Sequence, residues 1–315
     1  MLQKYMPLLL AVAAIPIVPT GTATAQATEA LSAAVQAKVA FAQQKLRTAI
    51  LSNDVEARVE LYRPDARSLP EYQPALYGAG QIGAYHQAMQ ARFRMTRFDP
   101  VTSELFDFGN AVLEFGTFTA AWTTAEGNAE ERRGKYANLW VAEPGGSLRL
   151  KADVWGYFEN LPNAKRFFVA MKEASPAALP APADPDLARE IRLLNQADAT
   201  AVRTRDLEAK LALIANDAII MPFAETPKRG MAEIRPYLTA YTEAGKGIRF
   251  DDVRVWNAGF EQFGDYVVEF SKFRVDWRFP DNKGVTKGGG LHLWKRQPDG
   301  SLKRIRQIGT HDYVE

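Results

Sequence analysis

"LIANDAIIMPFAETPKRG" (213–230) repeats the frame of "LYRPDARSLPEYQPALYG" (61–78), with Leu, Asp-Ala, Pro and Gly at the same spacing. Adding 152 to each position carries 54–101 onto 206–253 without a gap, and 15 of those 48 positions are identical. Chance would give about three at average residue usage. The match resumes at an offset of 155, with "FGNAVLEFGTFTAAW" (108–122) against "FGDYVVEFSKFRVDW" (263–277). It continues at 154, with "GKYANLW" (134–140) against "GGGLHLW" (288–294). Offsets change only between predicted elements, where loops tolerate insertion. The sequence therefore predicts one fold of about 130 residues, present twice.

Composition bounds what such a pair can be. The chain has 315 residues, 47% hydrophobic and 11% aromatic, ample for packed cores. Its start has Lys4, an apolar run over 6–18 and small residues ending at Ala27, the order of a secretory signal peptide. At 13 residues and containing Pro16, that run is short of the roughly 20 needed to span a bilayer. Removing 1–27 takes away only Lys4, leaving 38 basic against 37 acidic residues, which gives no electrostatic footprint for nucleic acid. With no cysteine, disulfides, thiolate catalysis and sulfur-ligated zinc are excluded. The three histidines form no HxH or HExxH pattern, so neither a metal nor a cofactor is expected. The stretch "KEASPAALPAPADPD" (172–186), with four prolines, reads as a semi-rigid linker between a first domain at 28–171 and a second at 187–315.

Each copy runs the same way: a helical stretch, a short hairpin, a further helix after Gly78 or Gly230, then three or four strands. Helices first and antiparallel strands after make the fold class α+β. The segments "NDVEARVELYRPDA" (53–66), "NDAIIMPFAETPKRGMAEIRPYL" (216–238) and "GKYANLW…GSLRLKADVW" (134–155), with the counterpart from Gly288, resemble the nuclear transport factor 2-like superfamily in its SnoaL-like and ketosteroid isomerase-like branch. The resemblance implies two tandem cones, each a strongly bent antiparallel sheet wrapped around N-terminal helices, with a hydrophobic pocket at the open end. The two cones would pair as an intramolecular pseudo-dimer, and a homo-oligomer is also open.

The resemblance also tests chemistry. The isomerase's general-base position, just before the hairpin proline, holds Leu69 and Met221, and its oxyanion tyrosine falls on Leu46 and Asp198, so steroid isomerisation by that route is not expected. The candidates for proton transfer are Asp198, flanked by Leu194 and Val202 at helical spacing; His292, on a strand with Trp294; His311, at the last strand's end beside Asp312; and Asp153, which matches the acid many SnoaL-like chains carry on the last strand. Each has a structural alternative, as a solvated or capping acid, a buried histidine or a strand-end anchor. Asp198, if partly desolvated, would carry a raised pKa. Candidate ligand contacts are Tyr85, Tyr237, Tyr241, Trp256 and Asn138, with Arg306 if it points inward. His86 is expected at a surface or interface. Asp65 and Asp217 read as turn residues, and Glu114 and Glu269 as outer-face or interface residues because Phe115 and Phe270 alternate with them. The leading expectation is an exported, cofactor-independent lyase or isomerase acting on a hydrophobic, aromatic small molecule, without a membrane anchor. The alternatives are a binding protein and a scaffold of the same fold.

Overall fold

The computed structural model describes residues 32–171, 184–280 and 282–314. The expected signal peptide and residues 172–183 of the expected linker lie outside the described residues. In the first copy, helices α1 (Ala33–Leu51) and α2 (Val55–Glu60) lead into β1 (Tyr62–Pro70), β2 (Leu76–Tyr77), α3 (Gly78–Gln90), β3 (Phe93–Asp107), β4 (Ala111–Thr124), β5 (Ala129–Ala142) and β6 (Leu148–Tyr157). The second copy repeats this order as α4 (Pro185–Thr204), α5 (Leu207–Ala212), β7 (Ile214–Met221), β8 (Lys228–Arg229), α6 (Gly230–Ala244), β9 (Arg249–Phe263), β10 (Tyr266–Phe279), β11 (Asn282–Arg296) and β12 (Leu302–His311).

Local chemistry explains the punctuation. The leading helical stretch is broken in both copies. Asn53 and Arg205 adopt left-handed φ of 55° and 57°, and Asp54 and Asp206 then cap α2 and α5 by accepting from Ala57 and Ala209 N–H at 2.9 Å. The repeated glycine is a backbone requirement, since Gly78 and Gly230 open α3 and α6 at φ of 78° and 63°. Helix α4 begins at Pro185, inside the stretch read as linker, because Asp184 caps it through Leu187 N–H at 2.9 Å and proline suits the first turn.

Each copy forms a six-stranded sheet, ordered β2-β1-β6-β5-β4-β3 and β8-β7-β12-β11-β10-β9. The sheets are mixed rather than antiparallel throughout, as β1 pairs parallel with β6 and β7 with β12. A parallel pair needs a long connection, and the helix and three strands between β1 and β6 supply it. Among the described residues no helix is long and apolar enough to cross a membrane.

Both faces of each sheet are buried. One face wraps its own helices. On β4, Val112, Phe118, Ala120 and Trp122 point there, and Ile50, Ile82 and Trp140 join them in the first copy's interior. The other face meets the second sheet. Leu113, Phe115, Leu139 and Val154 of the first copy pack with Val268, Phe270, Leu291 and Ile308 of the second in one apolar cluster. Polar contacts tie its margins. Arg306 forks onto Glu104 at 2.6 and 2.7 Å, Arg67 lies 4.1 Å from the Phe270 ring centre while donating to Ala258 O at 2.9 Å, and Tyr72 N–H donates to His311 O at 2.7 Å.

Near that margin, Lys135 and Glu71 form a fully buried pair at 3.9 Å. Gly156 leaves room for the Glu71 carboxylate, which a Cβ there would meet at 1.9 Å. Burial pushes Glu71 up to about 8, with Lys135 opposing, and brings Lys135 down to about 8, with Glu71 opposing.

Phe270 sits at the centre of the junction and is 1% exposed. Phe270→Ala is expected to lower stability by about 3–5 kcal/mol, read as a lower urea midpoint. Far-ultraviolet circular dichroism and tryptophan fluorescence should still report one shared transition; separate unfolding of the halves would show that the junction does not couple them.

Candidate functional site

The first copy's interior encloses a cavity of about 150 Å³ between its helices and the inner sheet face. Phe93, Phe98, Phe118, Trp122 and Phe167 line it, and the Phe93 and Phe167 rings stack at 5.0 Å and 13°. Phe167 comes from a 3-10 turn, Ala164–Phe167, that Arg92 holds by donating to the carbonyls of Arg166 (2.9 Å) and Phe168 (2.7 Å).

Glu114 anchors the interior from β4. It accepts from Gln43, Thr102, Tyr136, Asn138 and Trp140, at distances from 2.6 to 3.2 Å. Both its oxygens are saturated, so this carboxylate orders side chains around the cavity and has no lone pair left for chemistry. Glu269 does the same in the second copy, accepting from Asn195 (2.6 Å) and Trp294 (2.8 Å), with His292 Nδ1 at 3.2 Å. Both glutamates therefore point inward, opposite to the outer-face expectation. The alternation with phenylalanine holds, but the outer face is the junction between sheets, so the phenylalanines take it.

Asp153, across β5–β6 from Asn138, lines the cavity with its carboxyl 5% exposed. Tyr62 donates to Oδ2 at 3.0 Å, while Oδ1 has no partner. Burial pushes the Asp153 carboxyl above its ordinary range, against the pull of the adjacent Ser68 hydroxyl, of nearby Arg58 and of the Tyr62 hydroxyl. Tyr85 and His86 reach the same space from α3, and Tyr85 OH and His86 Nε2 are also unpartnered. Burial, reinforced by Arg58, holds His86 well below its ordinary value, so its imidazole is neutral. Trp122 Nε1, Trp155 Nε1, Arg58 Nε and Gln43 Oε1 are further orphaned polar atoms in this wall. Buried groups of this kind ordinarily find partners, and a ligand in the cavity would supply them.

Of the expected residues, the structure brings together Asp153, Tyr85 and Asn138. His86 joins them and is 4% exposed, contrary to the expectation of a surface or interface place. Arg58 and Tyr62 were not singled out in the sequence. The one signal for Arg58 is its repetition as Lys210, and Tyr62, whose counterpart in the repeat is Ile214, carries none.

The other candidates sit elsewhere. Asp198 is buried, but its carboxylate pairs with Lys210 and, at 3.0 Å, with Arg304. Burial alone would raise it; the two cations outweigh burial and hold it far below the carboxylate range, the reverse of the expected shift. His292 lies between Glu269 and Ser271, its Nε2 3.3 Å from the Ser271 hydroxyl. Burial, then Arg304, lowers it. His311 stacks on Phe223 at 4.0 Å and 6°. Burial and Lys135 bring it to about 4, so it is neutral near pH 7. Arg306 does not point inward. A bulge between Leu293 and Trp294 pairings shifts the parity of β12, turning Arg304 in and Arg306 out to Glu104. Trp256 is 42% and Tyr241 45% exposed, and Tyr237 packs beneath Lys228, 5.5 Å from its ring; none lines the first copy's cavity. Among the described residues no group of three potential metal ligands occurs.

Solved structures similar to the chain include a ketosteroid isomerase-like protein from Erwinia carotovora atroseptica (14% identity, TM-score 0.37, covering 39% of this chain and 96% of that one). ActVI-ORFA from Streptomyces coelicolor is 18% identical, with a TM-score of 0.36 and coverage of 41% and 99%. A nuclear transport factor 2-like protein from Cytophaga hutchinsonii is 16% identical, with a TM-score of 0.31 and coverage of 38% and 92%. Each match takes in nearly all of the solved protein and about two fifths of this chain. No family profile and no curated protein sequence matches. Two tandem α+β units, each a six-stranded mixed sheet with its own helices, make up the described chain.

Removing the Asp198 charge leaves buried Arg304 and partly buried Lys210 without their anion. Asp198→Asn is therefore expected to lower stability by about 3–5 kcal/mol near pH 7. The carboxyl is depressed in the folded state, so its contribution is present above its unfolded value and lost as pH falls through the acid range. The gap between wild type and Asp198→Asn in urea unfolding should narrow below about pH 4; a gap constant from pH 7 to 3 would contradict the triad.

Proposed function

We propose that the first domain's cavity is the working site of an exported, cofactor-independent enzyme of lyase or isomerase type, moving a proton on a hydrophobic, aromatic small molecule. The observation that carries this reading is the free Oδ1 of Asp153, in a carboxyl pinned by Tyr62 and facing an aromatic cavity. A desolvated carboxyl whose affinity for protons is raised can take a proton from a bound ligand and return it elsewhere on the molecule. Oδ1 accepts the proton while Tyr62 keeps Oδ2 fixed. Negative charge developing on a ligand oxygen is met by Arg58 and by the Tyr85 hydroxyl, both on the cavity wall. Neutral His86 accepts or donates at Nε2 according to its tautomer.

A second reading, a binding or scaffold protein of the same fold, is favoured for the second domain by its interior ion pairs. There Asp198 pairs with Arg304 and Lys210, and His292 with Glu269.

Molecules retained by the full chain after purification from its native periplasm, identified by mass spectrometry, provide the ligand for the test. Wild type should wash solvent deuterium into the ligand or convert it, and Asp153→Asn should slow this by about 10²–10⁴-fold while changing Kd less than threefold. Exchange by the variant at the wild-type rate would remove Asp153 from the chemistry, and a wild type that binds without exchange or turnover would leave the binding reading.

A further inference from the structure

The second domain carries a built-in comparison for the first. Helices α2 and α5 coincide in the repeat, which places Arg58 and Lys210 at equivalent positions. Lys210 is neutralised by Asp198, and Asp198 also takes Arg304. The first domain has Leu46 in place of Asp198. It has Leu150 in place of Arg304, as their pairing with Trp140 and Trp294 establishes. Arg58 thus keeps the cation without an ion-pair partner, acting on the Asp153 carboxyl in the same wall only through space. Among the described residues no carboxylate lies within ion-pair distance of it, its Nε is buried and unpartnered, and both it and Leu46 line the cavity.

From this geometry we infer that the first domain's cavity takes a single-ring aromatic carboxylate, its carboxylate on Arg58 where the second domain places Asp198, its ring between Phe93 and Phe118. The inference rests on the cavity being a ligand site, as proposed above, and specifies the ligand's charge and size. Size follows from the volume: about 150 Å³ is the scale of a protein cavity that accepts benzene. Charge follows from the fork of Arg58, whose planar donors suit a carboxylate. Trp122 and Trp155, with indole N–H groups unpartnered in the wall, give the binding an optical signal.

The test titrates the full chain with benzoate, benzamide and acetate, followed by indole fluorescence and calorimetry. Benzoate is expected to bind at least tenfold more tightly than benzamide, and acetate to show no saturable binding. Arg58→Met should bring benzoate to within twofold of benzamide, and Arg58→Lys should keep part of the preference. Leu46→Asp, which rebuilds the second domain's pair in the first, should abolish benzoate binding, and it serves if Arg58→Met does not fold. Equal affinity of wild type for benzoate and benzamide, or a Leu46→Asp variant that binds benzoate normally, overturns the charge assignment and leaves the cavity as a site for neutral ligands. Acetate binding as well as benzoate overturns the ring's part, and failure of every probe to bind overturns the cavity reading as well.

Discussion

Everything in the molecule is arranged around sheet-on-sheet packing between the two copies. Because the outer face of each sheet is covered by the other, both faces of β4, β5, β10 and β11 are dry along much of their length, and each strand sorts its side chains between two interiors. Phenylalanine and leucine take the shared junction. What remains for the inward positions is one glutamate per copy together with the polar and aromatic groups that bind it. The polar lining of the first cavity is in this sense a consequence of how the halves meet.

Much of the architecture was legible in the sequence because duplication doubles weak signals. A proline, a glycine or an Asp-Ala pair means little once, but at one offset in two places they fix the element order. The α+β layout and the order of elements in each copy followed from that frame, while Asp153 was reached through the family resemblance. What failed, failed for physical reasons. Arg306 and Arg304 are two apart and would share a face in a regular strand, but the bulge separates them. Glu114 and Phe115 were sorted on the assumption that a charge prefers the outside, which does not hold where the outside is another sheet. His86 is matched by Leu238 in the repeat, which pointed to packing and concealed that in the first copy this position faces a cavity.

The copies have diverged at the positions that decide whether an interior is open. Leu46 and Leu150 leave the first with apolar walls and an arginine that has no ion-pair partner, whereas Asp198 and Arg304 give the second an ion triad with Lys210. A triad of this sort gives little net stability compared with well-packed apolar side chains, yet it is costly to break one member at a time. The second interior is accordingly resistant to change, and the first is free to be shaped by what it holds.

Joining the copies in one chain has a genetic consequence. In an assembly of two identical subunits every substitution enters twice, so a residue that plugs one interior plugs both. Here the matched positions Leu150 and Arg304 differ, so one interior can carry an ion triad while the other keeps a cavity.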